Sequence, residues 1–317
     1  MASPRALKNR IKSTKNIAQI TKAMETVSAA KMRKSQMVAL RSRPFAQGAL
    51  RILRNVKARL SEEFNTLSPL LFERPVQKTC LVVVTSDKGL AGAFNSSVIR
   101  RAEKFLAEKG KENISIIAVG KKAKDFFGKR ATVSASFTGF GDYIEMEETS
   151  PLAKKITNIY TKKEADEIFI LYTNFLSALK QEVVLRKILP FSEENIEEII
   201  GGIAPEKGKF AEEKEKNKKA ESIKKEKNKN ASPHIFEPSP AEVMEKILPS
   251  LIEIQIYHSI LEANASEHSS RMMAMRNARD NAGEFIDELT LKYNTARQAG
   301  ITKELIEITG GAAALET

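Results

Sequence analysis

The chain has 317 residues, of which 42% are hydrophobic and 6% aromatic, enough for one or two domains with a hydrophobic core. No apolar run approaches the roughly eighteen residues of a membrane-spanning helix, and a single cysteine, Cys80, excludes an internal disulfide and zinc sites built from several cysteines. The net charge of +12 is unevenly placed: residues 1–60 hold fifteen Lys or Arg against one acid, Glu25, so the remainder of the chain sums to about −2.

The basic N-terminal segment predicts an acidic partner. Nucleic acid, a membrane surface and acidic protein loops all have the required charge. A basic, Ser-containing and acid-poor start is also typical of a mitochondrial transit peptide. The length and register of the helix that follows argue against a transit peptide.

The first predicted element is a long amphipathic helix within residues 1–60. Ser3 is a suitable N-cap and Pro4 a suitable first helical residue, and the next Gly or Pro is Pro44. An apolar stripe repeats at 3,4,3 spacing, with Leu7 and Ile11 on a neighbouring stripe. The stripe consists of Ile17, Ile20, Met24 and Val27.

Residues 68–200 predict an α/β domain. Five short β-branched runs alternate with helical stretches such as 96–108 and 151–161, which favours a largely parallel sheet. Cys80 begins the first of these strands, as a small buried residue. The runs are CLVVVTS (80–86), ISIIAVG (114–120), ATVSASF (131–137), EIFILYT (167–173) and QEVVLRKIL (181–189).

Residues 201–240 predict a linker with a charged insertion. The stretch from Glu206 to Asn230 contains ten Lys and six Glu and almost no apolar residue, so it cannot bury enough surface to fold alone.

Residues 241–317 predict a coiled-coil helix, which the sequence bounds at Pro249 and Thr309 before Gly310 and Gly311. Over that range it would be about 90 Å long at 1.5 Å per residue. The 4,3 seam runs through Ile247, Leu251, Ile254, His258, Leu261, Ala265, His268, Met272, Met275, Arg279, Ala282, Ile286, Leu289, Tyr293 and Ala296.

The natural partner of this seam is the N-terminal helix, because two long helices separated by a domain can pair antiparallel. On a helical wheel, Met272 and Met275 point into the seam, Arg271 and Arg276 flank it at the surface, and Arg279 falls near its centre without an evident reason. Polar residues in a seam lower stability and specify register.

The chain lacks the short motifs of several catalytic classes. It contains no P-loop, no HExxH, no paired CxxC and no GxSxG, and its three histidines form no ligand cluster. The Gly-containing turn TSDKGLAGAFN (85–95) could cradle phosphate at a helix N-terminus, but its spacing is not GxGxxG. We therefore expect no catalytic residue, no cofactor and no metal.

Several segments resemble the gamma subunit of F-type ATP synthase. They are IKSTKNIAQITKAMETVSAAKMRKSQ (11–36), SDKGLAGAFN (86–95), HIFEPSP (234–240), MMAMRNARDNA (272–282) and YNTARQAGITKELIEITGGAAAL (293–315). Together they cover both ends and the middle of the chain.

The resemblance implies a fold and a role. The fold is an antiparallel coiled coil of the terminal helices with a Rossmann-like α/β domain inserted between them. The role is that of a rotor shaft inside a ring of three alpha and three beta subunits, whose foot grips the epsilon subunit and the c-ring. Such a shaft couples proton-driven rotation to ATP synthesis or hydrolysis in the ring and binds no nucleic acid.

The resemblance also implies contact residues. Contacts to the alpha/beta ring fall on Met24, Arg271, Arg297, Gln298 and Thr302. The apolar tip in the collar of the ring comprises Ile301, Leu305, Ile308 and Leu315. The rotor foot would use Phe236 and Glu237.

Some residues depart from the family pattern: Ala91 and Ala93 replace Cys and Gly, and Arg279 stands where Thr is usual. The family motif starts about ten residues after Met1, which favours a bacterial protein, peripheral on the cytoplasmic face of the inner membrane. Two alternatives remain open on composition: a basic coiled-coil nucleic-acid-binding protein, and an enzyme built on the α/β domain.

Overall fold

The computed structural model describes residues 3–60, 68–191 and 239–315. The predicted linker and its charged insertion therefore lie almost wholly outside the described residues. The elements, in chain order, are α1 (Pro4–Leu60), β1 (Thr79–Val84), α2 (Phe94–Lys109), a 3-10 helix (Lys111–Asn113), β2 (Ile114–Val119), α3 (Lys121–Phe127), β3 (Val133–Phe137), α4 (Met146–Thr161), β4 (Glu167–Phe175), β5 (Gln181–Leu189) and α5 (Pro240–Leu315).

The chain divides into two compact units, and the division cuts through both terminal helices. One unit joins Met1–Ser28 to Arg271–Thr317, and the other is Ala29–Ser270. The first unit is called the helix pair below, and the second the α/β unit.

The α/β unit is built on a five-stranded sheet of order β3-β2-β1-β4-β5. The strands β3, β2, β1 and β4 are parallel, while β5 returns antiparallel beside β4. This confirms the five predicted strands, the largely parallel sheet and the Rossmann-like architecture.

Both faces of the sheet are covered, because β1 is buried along its whole length. Cys80, Val82 and Val84 face a cluster that includes residues of α4 and α5, and the alternate residues Leu81 and Val83 face α2 and α3. Continuous β-branched runs, rather than alternation, are what a strand buried on both faces requires. Burial raises the pKa of the Cys80 thiol to about 11, consistent with its predicted structural role.

The C-terminal helix differs from its predicted bounds at both ends. It starts at Pro240, contains Pro249 and continues through Gly310 and Gly311 to Leu315. A glycine costs a helix about 1 kcal/mol relative to alanine but leaves its hydrogen bonds possible, so two glycines need not end it. The proposed stop at Gly310 was therefore wrong.

The start of α1 agrees with its prediction. The side-chain oxygen of Ser3 accepts a hydrogen bond from the backbone N–H of Ala6 at 3.3 Å, and Pro4 is the first helical residue. Pro44 lies inside the helix, which extends to Leu60 as expected.

The turn between β2 and α3 packs closely against the backbone at the end of β1. Gly120 has φ +88°, and a Cβ there would lie 2.1 Å from the carbonyl oxygen of Thr85. We expect Gly120→Ala to lower the free energy of unfolding by about 3 kcal/mol, because it adds a backbone clash to a left-handed conformation. Urea denaturation of the full chain measures this loss.

Two other glycines separate the effect of the backbone clash from that of the positive φ. Gly139 also has positive φ but open space around its Cβ position, whereas Gly89 has open space and no positive φ. Gly139→Ala should cost about 1 kcal/mol, and Gly89→Ala should stay within about 0.5 kcal/mol of the unaltered chain. Equal losses at Gly120 and Gly139 would contradict the clash.

Candidate interaction surface of the helix pair

The helices of the helix pair run antiparallel. Glu25 of α1 contacts Arg276 and Arg279 of α5. Two turns earlier on α1, Ala18 lines a groove together with Gly283, which lies after Arg279 on α5. As numbers fall along α1 they rise along α5, which confirms the predicted antiparallel pairing.

The predicted seam of α5 is confirmed within the helix pair. Its positions are buried or half-buried at alternating spacings of three and four residues, whereas most intervening residues are exposed. The seam residues are Met272, Met275, Arg279, Ala282, Ile286, Leu289, Tyr293 and Ala296.

The facing stripe of α1 is not the one that hydrophobicity indicates. Ile17, Ile20 and Val27 are 54%, 60% and 51% exposed, although they form most of the predicted apolar stripe. The buried or half-buried stripe lies beside it at 4,3 spacing and is mostly small or polar: Leu7, Ile11, Thr14, Ala18, Thr21, Glu25 and Ser28. Small side chains allow two helices to approach closely, and Glu25 finds cationic partners across the seam.

Glu25 accounts for the position of Arg279 near the centre of the seam, because it pairs with the guanidinium there. Its carboxylate, with a side chain 11% exposed, accepts hydrogen bonds from Nε of Arg276 at 2.9 Å and from Nη1 of Arg279 at 2.5 Å. The guanidinium of Arg279 also holds Asp280, with Nη2 2.8 Å from Oδ1. We call Glu25, Arg276, Arg279 and Asp280 the ion cluster.

The charges of the ion cluster reinforce each other. The hydrogen bond to Asp280 raises the pKa of Arg279, and the carboxylate of Glu25 adds to the rise. Glu25, the only acid among the first sixty residues, is thus placed where it meets two arginines. A carboxylate that bridges two arginines of the facing helix restricts the register of the two helices, since a shift by one turn would separate the groups.

The outward surface of α1 in the helix pair is cationic and partly apolar. Exposed Ile17, Ile20 and Val27 share the helix with exposed basic residues. These basic residues are Arg5, Lys8, Arg10, Lys12, Lys15 and Lys22. An exposed apolar stripe among cations suits a macromolecular partner that has both acidic and apolar groups.

The predicted ring-contact residues differ in exposure. Arg297, Gln298 and Thr302 are exposed on α5, and Met24 is half-buried on α1. Arg271 is only 7% exposed, so its predicted surface position was wrong. Around this position α5 is buried on several sides rather than along one stripe, so a residue beside the seam does not reach solvent.

Most of the predicted apolar tip is exposed. Ile301, Leu305 and Ile308 are 50%, 57% and 68% exposed, and Leu315 is the last residue of α5. Ile306 is 65% exposed as well, and Leu291 is 70% exposed further back. Sequence reasoning missed these two, although apolar residues off the 4,3 seam were the available signal. Phe236 and Glu237 lie outside the described residues.

The turn after β1 accepts backbone hydrogen bonds from α3 and from the loop after β3. The carboxylate of Asp87 accepts hydrogen bonds from the backbone N–H of Lys121, the first residue of α3, and of Gly139, each at 2.7 Å. Asn95 accepts a hydrogen bond from the N–H of Ser86 at 3.0 Å. Asp87 and Asn95 thus join the turn after β1 to the start of α3, to the loop after β3 and to α2, which agrees with the tight-turn interpretation of residues 85–95.

Residues 3–60, 68–191 and 239–315 contain no group of three or more His, Cys, Asp or Glu side chains placed to hold a metal ion. None of the helices in these ranges combines the length and apolarity that crossing a membrane requires.

Comparison with known proteins points to one family along the whole chain. A family model described as ATP synthase matches residues 3–315. The ATP synthase gamma chain of Pelotomaculum thermopropionicum is 41% identical over 318 residues, with both chains covered completely. That of Desulfitobacterium hafniense is 38% identical over 319 residues, again with complete coverage of both.

Solved structures agree on the fold. The rotor of the Euglena gracilis mitochondrial ATP synthase matches 94% of this chain and 98% of its own at 19% identity, with a TM-score of 0.60. A chain from the central stalk and c-ring of the Tetrahymena thermophila mitochondrial enzyme matches 82% of this chain and 99% of its own at 22% identity, with a TM-score of 0.55. None of these relatives supports the nucleic-acid-binding hypothesis.

The ion cluster predicts an order of stabilities. Glu25→Gln should destabilise the helix pair by about 1.5–3 kcal/mol, because it removes the carboxylate that two guanidinium groups share. Arg279→Thr should cost less, since the hydrogen bond between Glu25 and Arg276 remains. Thermal unfolding of the full chain followed by circular dichroism measures both.

Glu304 provides the control, being an exposed acid on α5, the helix of Arg276 and Arg279. Glu304→Gln should leave the melting curve unchanged. A double variant of Glu25→Gln and Arg279→Thr that melts as if the two losses simply added would show that the two residues do not interact.

Proposed function

The chain belongs to the gamma chain family of ATP synthase, and on that premise we propose that it is the central-stalk rotor of the complex. It couples ion-driven rotation of the membrane ring to ATP synthesis or hydrolysis in the alpha/beta hexamer. Its partners are three alpha and three beta subunits, the epsilon subunit and the c-ring.

The observation that carries this proposal is the contrast between the inside and the outside of the helix pair. Inside, a 4,3 seam with an ion cluster joins the helices in one register. Outside, α1 presents cations and the exposed stripe of Ile17, Ile20 and Val27. A shaft needs a rigid inner seam to carry torque and an outer surface that different partners can meet in turn. A positive surface is attracted to acidic loops at every angle of rotation.

We propose two contact regions along the helix pair. The residues that meet the alpha/beta ring are Met24, Arg271, Arg297, Gln298 and Thr302. Of these, Arg271 offers the least surface, because it is 7% exposed. The residues that form the apolar tip in the collar of the ring are Ile301, Leu305, Ile308 and Leu315. The exposure of Ile301, Leu305 and Ile308 suits contact with an apolar collar.

We propose a division of the chain into shaft, foot and connecting segment. Residues 1–60 and 241–317 form the shaft helices, 68–200 form the foot and 201–240 connect the foot to the second helix. Phe236 and Glu237, at the end of that connection, contact the rotor foot partners, the epsilon subunit and the c-ring.

The proposed role is non-catalytic, with nucleotide chemistry in the alpha/beta ring. The membership of the chain in the gamma chain family supports this. The proposed location is peripheral, on the cytoplasmic face of a bacterial inner membrane, as the bacterial sources of the relatives suggest.

Reconstitution with bacterial alpha and beta subunits tests the rotor function. We expect sustained ATP hydrolysis only when this chain is present, and a bead attached to its α/β unit should then rotate as ATP is hydrolysed. A chain shortened by residues 301–317 should still assemble but generate less torque, because the apolar tip is lost. Full activity coupled to proton movement without the chain would contradict the proposal.

The exposed stripe predicts a functional defect without a folding defect. Ile17→Ser combined with Ile20→Ser should lower ATPase activity of the reconstituted hexamer several-fold, since two apolar contacts to the ring are removed. Because both side chains are exposed in the free chain, its unfolding free energy should change by less than about 0.5 kcal/mol per substitution.

Leu179 is the matched control for that experiment. It is 78% exposed on the turn between β4 and β5, in the α/β unit. Leu179→Ser should change neither ATPase activity nor stability. Equal activity of the Ile17/Ile20 variant and the unaltered chain would exclude the stripe from the ring interface.

A further inference from the structure

Asp142 lies where three segments of the α/β unit meet. It belongs to the loop of residues 139–145, between β3 and α4, which we call the 139–145 loop. Its Oδ2 atom is 2.6 Å from Nζ of Lys31 on α1 and 3.6 Å from Nζ of Lys88 in the turn after β1. Its Oδ1 atom is 3.4 Å from Nε2 of His268 on α5.

Further contacts attach the same loop to both terminal helices. The ammonium group of Lys34 on α1 is 3.6 Å from the centre of the Tyr143 ring. On α5, the hydroxyl of Tyr257 donates a hydrogen bond to the carbonyl of Ile144 at 3.2 Å. The 139–145 loop therefore holds α1 and α5 at once, through polar contacts to each.

The charge of Asp142 persists across neutral pH. Burial acts to raise its pKa, but the hydrogen bond from Lys31 and the charges of His268, Lys31 and Lys88 outweigh it, and the pKa is lowered. A lowered carboxyl pKa means that the contact is complete above the ordinary aspartate value of about 3.9 and is lost only as the pH falls through the lower folded value. The groups facing Asp142 from α1, the turn after β1 and α5 are Lys31, Lys88 and His268, of which the imidazole is charged only when protonated.

Polar contacts of this kind resist rotation of a helix about its own axis. A helix with side chains has a radius of about 5–6 Å, so a rotation of about 30° moves a side-chain tip by roughly 3 Å. That displacement breaks a 2.6 Å contact between Lys31 and Asp142, because hydrogen bonds weaken steeply with distance and angle. Apolar packing, in contrast, tolerates sliding.

We propose that Asp142 is a positioning residue that transmits torque between the sheet of the α/β unit and the segments of α1 and α5 that belong to that unit. The proposal rests on the proposed rotor function and names the place where the foot holds the shaft. The 139–145 loop connects both helices to the sheet through β3 and α4, so force applied to the sheet reaches both helices together. The cluster of Lys31, Lys88 and His268 around one carboxylate makes Asp142 the common point.

The test uses the whole ATP synthase reconstituted in vesicles with Asp142→Asn, which keeps the shape and removes the charge. We expect ATP hydrolysis by the soluble alpha/beta/gamma complex to stay within twofold, because that reaction does not load the foot. ATP-driven proton pumping per ATP hydrolysed should fall by about half or more. Asp142→Glu should restore most of this ratio.

Three outcomes separate the possibilities. An unchanged ratio of pumping to hydrolysis in Asp142→Asn, with the unaltered chain coupling normally, overturns the torque role of Asp142. A parallel loss of hydrolysis, pumping and thermal stability assigns Asp142 to folding alone and also overturns it. Failure of the unaltered chain to support pumping would instead contradict the rotor function itself.

Amide hydrogen exchange measures directly how firmly Asp142 holds its loop. Amide hydrogen exchange in the 139–145 loop should accelerate about tenfold in Asp142→Asn, because a charge-assisted contact no longer holds the loop closed. Lys31→Met should give a similar acceleration, and the double variant should add little to it. Fully additive effects would show that Lys31 and Asp142 act separately and would contradict their joint role.

Discussion

The carboxylate of Glu25, between Arg276 and Arg279, sets the alignment on which the helix pair depends. The rest of the seam is weak in apolar terms, since beyond Leu7 and Ile11 the stripe of α1 consists of small or polar residues such as Ala18, Thr21 and Ser28. Small side chains let the helices approach, but they discriminate poorly between registers. The first sixty residues hold fifteen Lys or Arg and one acid, Glu25, so no other acid in that segment could pair with these arginines in a different register. The register is thus specified by charge where packing alone would leave it undetermined.

Because charged and small residues form the seam, the most apolar stripe of α1 is left exposed. If Ile17, Ile20 and Val27 formed the seam, the pair would be more stable but its outward surface would be only charged. Their exposure leaves an apolar surface among cations, which suits the proposed contact with an enclosing ring. The same apolar residues could either stabilise the helix pair or contact a partner. In this chain they are exposed, so they are available to a partner.

The α/β unit shows a comparable use of charged groups. Asp87 holds the start of α3 to the loop after β3, and Asp142 joins the 139–145 loop to α1 and α5. In a nucleotide-binding fold of this topology, the loops at the carboxyl ends of the strands receive the ligand. Here side chains of the chain itself connect those loops to each other and to the helices. The same architecture therefore serves as a mechanical connection in the proposed function, without bound substrate.

Local patterns in the sequence determined the elements: five β-branched runs predicted five strands, and the 4,3 repeat predicted the buried face of α5. These signals arise from side-chain periodicity, which depends on the helix or strand alone. Tertiary structure decided which stripe of α1 is buried, that Arg271 is enclosed and that Arg279 has a partner 254 residues away in Glu25. It also decided that α5 continues through Gly310 and Gly311. Each of these depends on a neighbour distant in sequence or on the summed stability of a long helix, and periodicity contains no information about either.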